Sequence, residues 1–586
     1  MKKALLVLAV AVALAAGVLA GDDNDKNKDK DDKDQNSGHF EFKPGTLVVS
    51  RSVYQGNAGT VTVGQVLPPG CPGTPINLTF TVKVPVMTSF GGGTTSVSVS
   101  CGLAVADGTY PNVFQNDGPD ASFGVTSPIF LDNVTESGKL LGTLPIPPSQ
   151  IVTSFSSKSE LALNLSLDKK SITFGGYVGG PGFTTGVNQL DVSNSNTPGV
   201  IDPTNPVVSQ YYRSVAEVDA DGHLMVTDGN AYSGNNGRAA IKGNSIYYMT
   251  GNDNNGGLKV TKTLDQLNGT QVGLNLLGSN GAELLIPGQT PPLPPNIAKI
   301  GDFEITQVND PATCTPGPCT KYVLDKPGKD DNFRGLTIFN NTLFVTKGSG
   351  GNGINTVYQV GNPRVLPSGN ETTLNALPIT ILPGFPTTLA TGTDGGKPVP
   401  VAFPFGIWFA NANTLYVCDE GDGTLLTTPV NGNVADAATL ATAGVQKWHF
   451  DGATWHMLYV LQNGLNIGVP YTVSNYPSPA TDGCRNLTGH VNHDGSVTIF
   501  AVTSTISTAG DQGADPNKLV KVTDVVNAAT LPTGDGDHDR DDRVGVFTTV
   551  LSAGYGEVLR GVSFAPQDRD GDRDDDRDGD RYDWGW

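Results

Sequence analysis

The chain has 586 residues, too many for one compact core and enough for two or three domains or one large repeat architecture. Gly (74) and Pro (40) are abundant and charged residues make only 16%, a balance that argues against helix bundles and coiled coils and for short strands joined by loops. A formal net charge of -20 disfavours a nucleic-acid partner.

Residues 1–21 open with Lys2 and Lys3, continue as an apolar run and close on small residues up to Ala20, the pattern of a secretory signal. That run is shorter than the roughly 20 residues a membrane span needs, and no later segment qualifies. The expectation is an exported protein, periplasmic or extracellular, with no transmembrane span once mature. Residues 22–39 form an acidic linker, 40–566 the body and 567–586 a tail of Asp and Arg. The two acidic ends bury too little apolar surface to offset ordering entropy and are expected to be disordered.

Six cysteines suit a disulfide-permitting compartment. Cys314 and Cys319 enclose a Thr-Pro-Gly-Pro turn and should bridge locally, while Cys71 and Cys101 should staple the loop between them. Cys418 and Cys484 sit in strand-like contexts, as a bridge or as two buried thiols. No Cys-x-x-Cys occurs, so zinc ribbons and thioredoxin-like chemistry are excluded.

A hairpin plan recurs along the body. FRGLTIFNNTLFVT (333–346) and PFGIWFANANTLYVC (404–418) each pair an opening strand with a Thr-Leu-aromatic-Val strand across an Asn-rich turn. Residues 159–174, 237–250 and 484–503 follow the same plan, and a shorter version begins at Phe123 and runs through Ile129 to Asp132. The ends of the body each hold half a repeat: LRGVSFAP (559–566) is an opener with no partner, and residues 46–49 are a partner with no opener. Joined, they close a ring, which is how a β-propeller removes open sheet edges. The openers, with the one at Phe123, number seven, preferred over six or eight. Trp448 and Trp455 are expected to face each other across a further hairpin turned by Asp451-Gly452.

The segment TLYVCDEGDGTLLTTPV (414–430) and its relatives resemble the repeats of secreted bacterial β-propellers of the NHL and YVTN kind, over roughly residues 40–566. The resemblance implies an all-β fold, a single propeller closed by strands from both termini. It implies no defined activity, because that group includes lyases, lactonase-like enzymes and scaffolds.

Arg238, Arg334, Arg485 and Arg560 each precede or open a repeat, so innermost strands would gather four guanidiniums at one mouth of the channel. Such a cluster suits a phosphate, a carboxylate or an acidic sugar. It equally suits internal ion pairs with Asp330, Asp331, Glu557 and Glu160. Asp419, Glu420 and Asp422 follow a strand directly, as metal ligands, acid and base, or a solvated turn. His490 and His493 have a metal-like spacing but would face opposite sides of a strand, and His449 and His456 read as packing or surface residues. Residues 348–353 match GxGxxG without a following helix, which argues against a dinucleotide cradle. Asp574, Asp576 and Asp578 with Gly579 form the opening half of a calcium loop that lacks its closing Glu, so the tail reads either as a merely disordered acidic segment or as a weak calcium site, and calcium is the one cofactor the sequence offers. The sequence favours an exported binding or interaction module for an anionic small molecule, polysaccharide or protein at the channel mouth, since no nucleophile, base and orienter set can be assembled; the alternative is a hydrolase or lyase working there on an anionic substrate with Asp419 or Glu420.

Overall fold

The computed structural model describes side chains in residues 40–54, 126–178, 211–252, 273–277, 333–387, 402–508, 513–532 and 544–567, short gaps apart, together with residue 197 and the backbone of several strands between these stretches. Among these residues six sheets, each with four antiparallel strands as its core, form the blades of a β-propeller; the sheets of blades II and IV extend to six strands. Blade I comprises, from the inside outward, Glu557–Phe564, Leu47–Val53, Ile129–Val134 and Leu140–Pro145. Blade II comprises Asn164–Leu165, Ser171–Val178, Arg213–Asp219 and Leu224–Gly229. Blade III comprises Gly237–Gly243, Ile246–Gly251, Leu274–Gly278 and Ile297–Lys299. Blade IV comprises Phe333–Phe339, Thr342–Lys347, Thr356–Val360 and Ile379–Ile381. Blade V comprises Pro404–Asn411, Thr414–Asp419, Gly444–Phe450 and Trp455–Leu461. Blade VI comprises Ala480–Val491, Ser496–Ile506, Lys518–Val525 and Thr548–Ser552.

Local chemistry sets each inner hairpin. In blade IV the turn residues Asn340 and Asn341 both adopt positive φ (47° and 58°), as a tight turn between twisted strands requires. Apolar residues then alternate onto the two faces of each blade and pack against its neighbours, as Ile338, Leu343 and Val345 of blade IV do with Ile407, Leu415 and Val417 of blade V.

Small or hydrogen-bonding residues at the joints bring successive inner strands together. A Cβ on Gly335 would strike the Phe405 carbonyl, one on Gly406 the Arg485 carbonyl, and one on Gly561 the Leu161 carbonyl. Asn486 Oδ1 accepts the Val562 N–H at 2.6 Å, Ala162 bridges Ala239 in parallel, and Thr250 Oγ1 donates to the Arg334 carbonyl at 3.2 Å. These contacts join blades IV to V, V to VI, I to II, VI to I, II to III and III to IV, so the ring is closed.

The two ends meet as the split repeat predicts, with Leu47 opposite Phe564 and Val49 opposite Val562. The count of seven is corrected to six. Ile129–Val134 is the third strand of blade I, paired with Leu47–Val53, and opens no blade of its own. The tryptophan pairing is also corrected: a bulge at Lys447/Trp448 sets Trp455 opposite Phe450 and Trp448 opposite Met457. Trp448 instead stacks on Phe385 at 3.9 Å. Cys418 and Cys484 form a disulfide that ties the second strand of blade V to the inner strand of blade VI. The side chains of Cys71, Cys101, Cys314 and Cys319 lie outside the described residues, as do residues 1–39 and 568–586 with Asp574, Asp576 and Asp578. Among the described residues no helix is long and apolar enough to cross a membrane.

Candidate functional site

Antiparallel pairing fixes which links share an end of the ring. Each inner strand starts where the second strand of its blade stops, so the links from second to third strands leave and return at that same mouth. Five of these six links span ten residues or more between strand ends, the longest running from Val53 to Ile129. At the opposite end the inner hairpins turn tightly, as at Asn340–Asn341 and at Asp494-Gly495.

The arginines sit at the mouth where these links leave and return. Arg238, Arg485 and Arg560 are 5–6% exposed. Arg485 Nε donates to Glu420 Oε2 at 3.0 Å, and Arg334 Nη2 lies 4.0 Å from Glu420 Oε1. Arg238 feels Arg334 on one side and Glu160 and Glu420 on the other; burial and the neighbouring Arg334 pull it down to about 9, which leaves it charged at neutral pH. Arg560 is anchored differently, donating to the Phe155 carbonyl and to Ser52 Oγ at the joint of blades I and II. Glu160 is enclosed, accepting from Tyr177 Oη, from Thr153 Oγ1 at 3.2 Å and from the Ser154 N–H at 3.1 Å. Its burial outweighs those donors and pushes its carboxyl up.

Two further carboxylates shape the turn that carries Glu420. Asp419 accepts from the Phe403 N–H at 2.9 Å, the Gly421 N–H at 3.0 Å and Gln446 Nε2 at 3.1 Å. It is fully enclosed, and that desolvation raises it to about 7 despite the backbone donors. Asp482 accepts the Gly423 N–H at 2.9 Å. Asp419 and Asp482 therefore hold residues 420–423 in place, and Glu420 meets the guanidiniums. The disulfide between Cys418 and Cys484 lies one residue from Asp419 and one from Arg485, so it fixes the pair across the blade joint.

Sequence spacing thus finds Arg238, Arg334, Arg485, Glu160 and Glu420 as one electrostatic set around the mouth, with Arg560 beside it. The expected pairing of Glu557 is corrected: it binds Arg51 at 2.7 Å, and Arg51 also holds Asp132 at 2.7 Å, so Arg560 is left to other partners. Asp330 and Asp331 lie outside the described residues, as do residues 349–353 of the glycine-rich segment. His490 and His493 do not converge, His490 being buried and His493 exposed in the turn. His449 and His456 pair across the outer hairpin of blade V. Among the described residues no group of three or more His, Cys, Asp or Glu is placed to hold a metal ion.

Arg213 and Lys447 escaped the sequence reading. Arg213 lies over the Tyr177 ring at 4.8 Å and donates to the carbonyls of Tyr211 and Tyr232. Lys447 is sealed against Asp524 at 3.1 Å. Neither stands at the repeated strand-opening position, and the carboxylate that holds Lys447 lies 77 positions away.

No protein-family profile and no curated protein matches the chain. Solved structures with similarity include a Thermus thermophilus protein described as an oxidoreductase (glucose dehydrogenase), at 13% identity and TM-score 0.26 over 64% of this chain and 87% of that one. Another is the hemagglutinin-neuraminidase ectodomain of parainfluenza virus 5, at 10% identity and TM-score 0.31 over 79% of this chain and 85% of that one. A third is a Synechocystis apocarotenoid oxygenase, at 8% identity and TM-score 0.20 over 83% of this chain and 64% of that one. Matches at this level transfer no activity, and the fold rests on the closed ring of sheets.

Proposed function

We propose that this chain is an exported binding module, kin to the NHL and YVTN propellers, whose recognition face is the mouth where the links between second and third strands leave and return and whose ligand carries an anionic group. The observation that carries the reading is the coincidence of two features at one end of the ring: the links between second and third strands, and the inner-strand arginines. Loops held on a rigid scaffold are where recognition is commonly built. The six groups Arg238, Arg334, Arg485, Arg560, Glu160 and Glu420 comprise four cations and two carboxylic acids, and burial holds Glu160 toward its neutral form. A carboxylate or phosphate entering beside Arg334, the least buried of the four arginines, would share the guanidiniums that Glu420 now engages.

The test is a thermal titration of the full chain with citrate and with inorganic phosphate. The melting temperature should rise with the logarithm of anion concentration above the dissociation constant. Arg334→Gln should remove that rise even if its own baseline is lower. An equal rise in the variant would show that the anion acts elsewhere, and no rise in the native chain would end the anion reading.

A further inference from the structure

The opposite end of the channel is built differently. A cavity of about 200 Å³ lies on the ring axis, and all six inner strands contribute to it. Leu165, Ile241, Phe339, Phe409, Leu487 and Phe564 supply one apolar side chain from each blade. In the four blades that carry an arginine these positions lie two to five residues further along the inner strand, roughly 7–16 Å at about 3.3 Å per residue. None of the four arginines, Glu160 or Glu420 lines the cavity, so it is separate from the charged mouth.

Its walls are rich in rings. Phe339 and Phe409 stack at 4.6 Å with an interplanar angle of 10°, and Phe564 meets the His490 ring edge-on at 5.5 Å. Trp408 lies flat against Gly489, where a Cβ would come within 3.0 Å of the indole. No carboxylate is among the lining residues, and Lys169 stands with His490 as the basic groups there. Apolar cavities of about 150 Å³ take up benzene, so this one accommodates one or two fused rings. Aromatic walls add edge and stacking contacts for such a guest.

We infer that this axial cavity is a second ligand site, which takes a neutral aromatic molecule of one or two rings. The site is independent of the anion reading of the mouth.

The probe is p-cresol, titrated into the full chain while melting is followed. The melting temperature should rise with the logarithm of p-cresol concentration, and Arg334→Gln should show the same rise, so failure here and failure at the mouth are distinguishable. Thr337→Phe places a ring in the cavity from blade IV and should weaken p-cresol at least tenfold. Thr488→Phe does so from blade VI and serves if the first variant does not fold. The proposal is overturned if the native chain shows no rise up to the solubility of p-cresol, or if a folded filled variant binds as well as the native chain. A chain cut after Gln567 that gains p-cresol binding absent from the full chain would also overturn it, assigning the cavity to the chain's own Tyr582, Trp584 or Trp586.

Discussion

Lys447 offers the sharpest test of how blades V and VI hold together. Its ammonium has no solvent exposure and lies 3.1 Å from Asp524, whose side chain is equally sealed. It also donates to Tyr459 Oη at 2.9 Å, the Val525 carbonyl at 2.5 Å and the Ala528 carbonyl at 3.1 Å. Asp524 in turn accepts from Tyr416 Oη at 2.7 Å and Tyr459 Oη at 2.8 Å. Lys447→Met keeps the stem and deletes the charge, which leaves Asp524 buried with two hydroxyl donors and leaves two carbonyls without this donor. Breaking one side of a buried pair costs about 3–5 kcal/mol, and the surviving hydroxyl bonds place this case near the lower figure. Unfolding entropy of about 2 cal/mol/K per residue over about 500 residues makes about 1 kcal/mol/K, so the melting temperature should fall by about 3 °C. Adding Asp524→Leu removes the stranded carboxylate and should recover part of that loss. Scanning calorimetry on the native chain, both single variants and the double variant measures the coupling directly. A single variant that melts with the native chain, or a double variant that loses the sum of the two singles, would refute the reasoning.

Two further outcomes are expected. Asp419 is raised to about 7 by burial, so between about pH 4 and 7 the folded chain holds a proton that the unfolded chain releases, and this group's contribution to stability falls as pH rises through that window. The displacement is worth at most about 4 kcal/mol, and Asp419→Asn should flatten that part of the melting-temperature profile; parallel profiles for the two proteins would sink the assignment. Gly561→Ala drives a methyl into the Leu161 carbonyl and the Leu163 N–H at the joint that closes the ring, and should cost about 1–3 kcal/mol in denaturant unfolding. Gly175→Ala, whose Cβ meets nothing within 4 Å, should stay within about 0.5 kcal/mol, and equal losses at the two glycines would show that joint packing is not the cause.

The sequence by itself determined the hairpins and their closure. Tight turns need Asn, Asp or Gly at fixed positions between alternating apolar residues, so the inner hairpins at 333–346, 404–418 and 484–503 are written locally, and so are the half repeats at 46–49 and 559–566 that pair across the whole chain. The arginines and Glu420 were legible for the same reason, because each holds a fixed place relative to a strand start or end. The tertiary structure alone decided the number of blades, since Ile129–Val134 has the pattern of any half-buried strand and only its pairing with Leu47–Val53 makes it the third strand of blade I. It alone decided which partners the charges take. Glu557 is three residues from Arg560 in sequence, yet it reaches Arg51 on the neighbouring strand, and Lys447 finds Asp524 from 77 positions away. Side-chain period and turn chemistry act over a few residues, whereas blade count and ion pairing depend on how closely neighbouring strands approach, and that is set by contacts between residues far apart in the chain.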